Sequence, residues 1–152
     1  MDASFDPLRL ENQLCFPLYA CARKIVNLYT PYFKPLGITY TQYIVFMVLW
    51  AQDGVSVRTL GEKLYLDSGT LTPVLKKMES AGYVRRERSR EDERVTRVWL
   101  TDAGRAMREK CEEIPLQLSR SVELSADEAQ TLYRLLYRFL ETEPKCETEA
   151  SK

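Results

Sequence analysis

The chain has 152 residues, with 22 Lys and Arg against 22 Asp and Glu, no His, four Cys and 45% hydrophobic residues. One domain, burying roughly 70% of the surface that its unfolded chain exposes, is the expectation at that length. Without His, Ser-His-Asp and Cys-His catalysis, His-ligated metals and the usual general base near neutral pH are excluded, and a net charge of zero speaks at face value against nucleic acid, whose phosphates are met by Lys and Arg.

The longest apolar run, Tyr43 to Ala51, is about half of the roughly 20 residues a membrane span needs. The opening MDASFDPLRLENQ is acidic where a secretory signal is basic and then apolar, so a cytoplasmic protein with reduced thiols and no membrane contact is expected. Cys15, Cys21, Cys111 and Cys146 contain no C-x-x-C pair, so neither a metal nor another cofactor is expected.

Asp6 and Pro7 read as an N-cap and first residue of a helix that runs to about Tyr32. Leu14, Leu18, Cys21, Ile25, Leu28 and Tyr32 step alternately by four and three, a seam for packing on other helices, with Pro17 as an interior kink. Cys21 then belongs to the core seam, while Cys15 falls in a neighbouring stripe with Tyr19, Ala22, Val26 and Tyr29. Thr39 and Gln42 form a capping box for a second helix, apolar nearly all round and therefore buried, with Gly54 as its C-terminal cap.

Ser56 starts a short third helix through Leu64, with Val57, Leu60 and Leu64 inside. After a break at Asp67, Ser68 and Gly69, a fourth helix buries Leu71, Val74, Leu75 and Met78 and turns Thr70, Pro73, Lys76, Lys77 and Ser80 outward. Two short helices across a tight turn, the second with a polar and basic outer face, read as a helix-turn-helix.

Gly82 ends that helix, and YVRRERS, REDE and RVTRVWLT read as a β-hairpin with a charged tip, a wing whose Val98 and Leu100 point inward. Thr101 caps a fifth helix that Pro115 kinks near Ile114. Ser125 and Glu128 box the start of a sixth, striped by Leu132, Leu135, Leu136, Phe139 and Leu140. Residues 143–152 form a polar tail that frays, with Cys146 as an exposed thiol. The fold class is mostly α, six helices with a small β-hairpin wing: a winged helix-turn-helix.

The zero charge is a cancellation. Residues 1–53 are neutral, residues 54–100 carry ten bases against seven acids, and residues 101–152 carry eight against eleven. The surplus of positive charge lies on the helix-turn-helix and hairpin, where six Arg fall between Arg85 and Arg97; a solvated, salt-bridged surface is the plainer reading of such a run, and DNA the one favoured here.

With these elements placed, the chain resembles the MarR family of winged-helix repressors, and within it the organic hydroperoxide resistance regulators. The resemblance is carried by LENQLCFPLYA (Leu10 to Ala20), GITYTQY (Gly37 to Tyr43) and LYLDSGTLTPVLKKMESAGYVRRERSREDER (Leu64 to Arg94), continuing into LTDAG. It implies a homodimer, with residues 6–35 and 101–142 as dimerisation helices and residues 39–100 as the DNA-binding lobe. It further implies that the fourth helix enters the major groove of a near-palindromic double-stranded operator and that the wing reaches the minor groove. Ser68, Thr70, Thr72, Lys76, Lys77, Arg86, Asp92 and Arg94 are the DNA candidates. An Arg at the tip suits a narrow, electronegative groove, and Asp92 can hold it in place, while Asp67 or Ser68 serves equally well as a helix cap.

By spacing alone Cys15 reads equally as a small buried hydrophobe. The resemblance instead makes it a peroxide-sensing thiol and implies Tyr29 and Tyr40 as its hydrogen-bond partners. That chemistry needs a thiolate, which must be stabilised, and nine residues into a helix is too deep for the N-terminal dipole. Tyr29 lies 14 residues further along the same helix, roughly 21 Å, so its hydroxyl can reach Cys15 only from the other subunit. Phe16 and Tyr19 then supply an apolar pocket favouring organic peroxides. Family members that lock oxidation as an intersubunit disulfide carry a second Cys near the positions of Ser119 and Arg120, where this chain has none. A single-sensor type is therefore favoured, its sulfenic acid combining with a low-molecular-weight thiol or oxidising further, with Cys111 as an alternative resolving thiol.

The expected function is a DNA-binding repressor, not an enzyme, that releases its operator when an organic hydroperoxide oxidises Cys15. The alternatives are a MarR-type regulator released by a small aromatic ligand without thiol chemistry, a thiol peroxidase, and a protein-interaction module without a DNA role.

Overall fold

A computed structural model describes residues 6–121 and 123–142. The chain divides into two units, Met1–Leu118 and Ser119–Lys152.

Helix α1 spans Cys15–Leu36 and so begins eight residues later than Asp6 and Pro7 suggest. The Asp6 carboxylate accepts the Leu8 N–H at 2.9 Å, a local turn that competes with helix, and Leu10–Asn12 close one 3-10 turn before α1 begins. Pro17 therefore falls in the first turn of α1, where a missing N–H costs nothing, and is not an interior kink. The prolines inside the helix are Pro31 and Pro35. Gly37 ends it with φ 67°, and the Ile38 N–H reaches back to the Phe33 carbonyl at 3.2 Å.

Only the last third of α1 packs on the core. Phe33 is buried and Leu28, Tyr29, Tyr32 and Leu36 are half-buried, whereas between Cys15 and Asn27 only Leu18 and Ala20 are not fully exposed. Cys21 is accordingly exposed and not a core residue: the seam is present, but nothing in the unit covers it.

Helix α2, Tyr40–Ala51, starts on the expected box, the Gln42 N–H donating to Thr39 Oγ1 and the Thr39 N–H to Gln42 Oε1 at 2.9 Å. Tyr43, Val45, Phe46 and Leu49 are buried. Its C-cap is Gln52, not Gly54. Gly54, at φ 71°, turns the chain into a strand the sequence did not announce, β1 (Val55–Ser56), and a side chain there would run into the Trp99 ring.

The wing strands are β2, Val84–Arg88, and β3, Thr96–Leu100, antiparallel with Val84 opposite Leu100. Strand β1 adds to the other edge, Val55 opposite Val98, giving the order β1-β3-β2. Helices α3 (Val57–Leu64) and α4 (Ser68–Ser80) pack against α2 and the sheet through Leu60, Leu71, Leu75, Met78 and Val98, all nearly solvent-free. This is the winged helix-turn-helix.

Helix α5, Asp102–Cys111, is pinned to this lobe at its first turn. Thr101 Oγ1 accepts the Gly104 N–H at 3.1 Å and donates to the Gly82 carbonyl, and Trp50 Nε1 donates to the Gly104 carbonyl at 3.0 Å. Asp53 accepts the Leu100 N–H at 2.9 Å and Arg105 Nη2 at 2.7 Å. Gly104 lies against the Tyr83 carbonyl, with no room for a Cβ.

The expected kink at Pro115 is a break. Helix α5 stops at Cys111, and α6, Ile114–Ser119, restarts with Pro115 in its first turn, because Pro offers no N–H to the carbonyl four residues back. Counting α5 and α6 as one interrupted helix gives the six expected. In the second unit, α7 spans Ala126–Glu141 on the Ser125 and Glu128 box. Leu132, Leu135, Leu136, Phe139 and Leu140 are all exposed. Residues 143–152, with Cys146, lie outside the described residues. No described helix is long and apolar enough to cross a membrane.

Candidate DNA interface and thiol site

The start of α4 resolves the choice of cap. Asp67 is the N-cap, accepting the Thr70 N–H at 2.9 Å and Thr70 Oγ1 at 2.8 Å, bonds that hold its carboxyl below the ordinary range, and Ser68 is the first helical residue. Thr72 Oγ1 donates to the Ser68 carbonyl at 2.6 Å. Each of these threonine hydroxyls has used its single proton, so what it presents outward is acceptor lone pairs. Lys76 and Lys77 are exposed one to two turns further along.

On the wing the arginines divide into two sets. Arg86 forms a fork on Glu79 of α4, Nε and Nη2 donating to Oε2 at 2.9 and 2.6 Å, while its backbone N–H donates to Oε1 at 3.1 Å. Arg85 lies over the Trp99 ring at 5.8 Å and pairs with Glu87 at 3.0 Å, and Arg97 donates to the Gly54 carbonyl at 3.0 Å. Arg88, Arg90 and Arg94 are exposed and enter no ion pair among the described residues. At the tip, Asp92 accepts the Arg94 N–H at 3.0 Å, and its carbonyl accepts the Val95 N–H at 2.9 Å. Asp92 thus shapes the turn through the backbone, and no ion pair holds the exposed Arg94 guanidinium among the described residues. Glu79 and Asp53, which carry three bonds each, have no sequence signal: their partners are set by how the elements pack.

Cys15 is exposed at the first position of α1, its Sγ 3.8 Å from Gln13 Oε1. It faces the positive end of the helix dipole, contrary to the expectation that it lies too deep for that field. Phe16 and Tyr19 are exposed on the same turns and line an open groove with Ala20 and Arg23, whose Nη1 donates to the Tyr19 hydroxyl at 3.2 Å.

Tyr29 and Tyr40 come together, ring centroids 5.1 Å apart, in a cluster with Phe33 and Tyr43. Burial raises the pKa of both hydroxyls, and the neighbouring Tyr40 adds to the rise at Tyr29. Cys15 precedes Tyr29 on α1 by 14 residues, roughly 21 Å of helix, and so stands away from this cluster in its own chain. Cys111 is 1% exposed beneath α2, where burial raises its thiol pKa.

The family model for the transcriptional regulators SarA and Rot matches residues 27–114. An organic hydroperoxide resistance transcriptional regulator from Bacillus subtilis is 44% identical over 142 residues, 93% of this chain and 97% of that protein. The chain belongs to the MarR/SarA family of winged-helix transcriptional regulators. Among solved structures, reduced AbfR bound to DNA, a Staphylococcus epidermidis protein, superposes on this MarR/SarA-family chain with a TM-score of 0.74 at 37% identity, covering 88% of this chain and 92% of that one. The C80S mutant of MarR from Escherichia coli, complexed with operator DNA, gives a TM-score of 0.73 at 30% identity, covering 84% and 93%. These relatives are regulators and not enzymes, and the chain is a MarR-type DNA-binding transcriptional regulator.

Proposed function

We propose that this regulator is a dimeric cytoplasmic repressor that senses organic hydroperoxides through Cys15 and then releases a near-palindromic operator. The observation that carries the reading is the position of Cys15: exposed, at the head of a helix whose outer face is uncovered, and 14 residues before Tyr29 of the tyrosine pair. A second copy packed against α1 would cover the exposed Leu14 and Ile25 and bring the Tyr29 and Tyr40 hydroxyls of one subunit to the thiol of the other. Similarity to a hydroperoxide resistance regulator supports the choice of inducer.

On DNA, α4 enters the major groove with Ser68, Thr70 and Thr72 at the bases and Lys76 and Lys77 on phosphates, and Arg94 enters the minor groove at the wing tip. Half-sites lie about one helical turn apart. Arg86, occupied by Glu79, contributes through the wing's position and not by direct contact.

The Cys15 thiolate attacks the terminal oxygen of the hydroperoxide. The O–O bond breaks, sulfur gains the OH as sulfenic acid, and the alkoxide leaves as the alcohol after taking a proton. A low-molecular-weight thiol then condenses with the sulfenic acid, giving a mixed disulfide and water. Cys111, buried and with its thiol pKa raised, is a poor resolving partner. Oxidation breaks the tyrosine hydrogen bonds, and a penalty of about 3 kcal/mol on the bound state lowers affinity by roughly a hundredfold.

Mass spectrometry after cumene hydroperoxide treatment, with and without cysteine, tests the chemistry. The expected product is an adduct at Cys15 alone, a mixed disulfide when cysteine is present. Modification first at Cys21 or Cys111, with Cys15 intact, would refute it.

A further inference from the structure

Helix α4 and strand β2 are joined by a short turn, residues 81–83, with Gly82 at φ 75°. The Gly82 and Tyr83 N–H groups close the turn on the Glu79 and Met78 carbonyls at 2.9 Å, bonds that join helix to turn and not helix to strand. Thr101 Oγ1 braces the turn at the Gly82 carbonyl, and one side-chain pin joins helix to strand across it. Glu79, in the last turn of α4, receives three N–H donors from Arg86, the third residue of β2, seven residues on and across the turn. Both carboxylate oxygens are used, one by the backbone and one by the guanidinium, so the pin fixes position and rotation together. The pair is part-shielded, with side chains 37% and 26% exposed, and the Arg86 hydrogen bonds hold the Glu79 carboxyl below the ordinary carboxylate range.

We infer that Glu79 is a positioning residue for DNA reading: by fixing the wing to α4, it sets the span between the α4 face and Arg94 at the tip, and it withholds Arg86 from phosphate. A duplex presents major and minor grooves at a fixed spacing, so discrimination needs helix and tip held at a matching distance. A loosened wing still attracts DNA by charge but gives up part of the shape-dependent contact at the tip. The inference rests on the proposed entry of Arg94 into the minor groove.

The test is a double-mutant cycle on the full chain, with Glu79→Gln and Arg94→Ala alone and together. Fluorescence anisotropy reads the ratio of affinities for operator and for a scrambled duplex. Glu79→Gln is expected to lower this ratio about tenfold and to steepen the salt dependence of scrambled-duplex binding by about one unit, as freed Arg86 gains a phosphate. In the Arg94→Ala background the same substitution should change the ratio less than twofold, because the tip it positions is gone. Simple loss of stability would lower both backgrounds alike. Arg86→Lys, which keeps the charge but loses the fork, should reproduce the tenfold loss and the dependence on Arg94, and serves if Glu79→Gln folds poorly. An unchanged ratio in Glu79→Gln, or an equal fall in both backgrounds, would overturn the inference while leaving the wing reading intact. An Arg94→Ala chain that reads operator like the wild type would overturn both.

Discussion

Tyr29 of α1 and Tyr40, the first residue of α2, stand edge to face with ring centroids 5.1 Å apart, their hydroxyl pKa values raised by burial. The Thr39 capping box fixes the turn that delivers Tyr40 to this place. A hydroxyl kept protonated is a donor, which is what a thiolate from a second copy needs. Tyr29→Phe and Tyr40→Phe should each slow oxidation of Cys15 by cumene hydroperoxide about tenfold, the effect of losing a hydrogen bond to a charged group, with operator affinity of the reduced chain within about twofold of wild type. Stopped-flow consumption of the thiol reads the rate; unchanged rates in both variants would remove the tyrosines from the site.

Alkali should weaken the fold through the same cluster. Burial first, then Tyr29, Cys111 and Tyr40, push the Tyr43 hydroxyl from 10.0 to about 12. Between those values the unfolded chain has given up a proton that the folded chain keeps, so rising pH favours unfolding. Urea midpoints should hold up to about pH 10 and fall towards pH 12. Tyr43→Phe should make the fall shallower, and an equally steep fall would place the titration elsewhere.

Gly54→Ala should be among the costliest single changes in the lobe. The backbone there has φ 71° and an added Cβ meets the Trp99 ring, so strain and overpacking combine. About 2–4 kcal/mol of destabilisation is expected, read by urea denaturation. A loss under about 0.5 kcal/mol would show that Trp99 moves aside freely.

Lys76→Ala and Lys77→Ala should weaken binding to operator and to scrambled duplex alike, each reducing the salt slope by about one unit. A loss confined to the operator would make that lysine a base reader.

The helix-turn-helix and wing were legible because their signals are local: the Thr39, Ser56, Thr101 and Ser125 caps and the alternation at Val98 and Leu100 all stand where the sequence places them. The start of α1 was not, because Asp6 and Pro7 suit a helix cap and a free-standing turn equally, and the turn is what forms. That displacement puts Cys15 at the first residue of the helix and not in its middle. Cys21 was misplaced for a related reason. Periodicity reports that a face is apolar but not whether the same chain covers it, and residues 21–27 are uncovered here. The Arg86 fork on Glu79 was invisible because both residues read as ordinary surface charges until packing brings them together.

Operator binding before and after one equivalent of cumene hydroperoxide, in wild type and in Cys15→Ser, decides whether Cys15 is the sensor. The reduced proteins should bind alike. On oxidation the wild type should lose at least about tenfold in affinity, and Cys15→Ser should lose none. A Cys15→Ser chain that still lets go of its operator when peroxide is added would show that Cys15 is not the sensor.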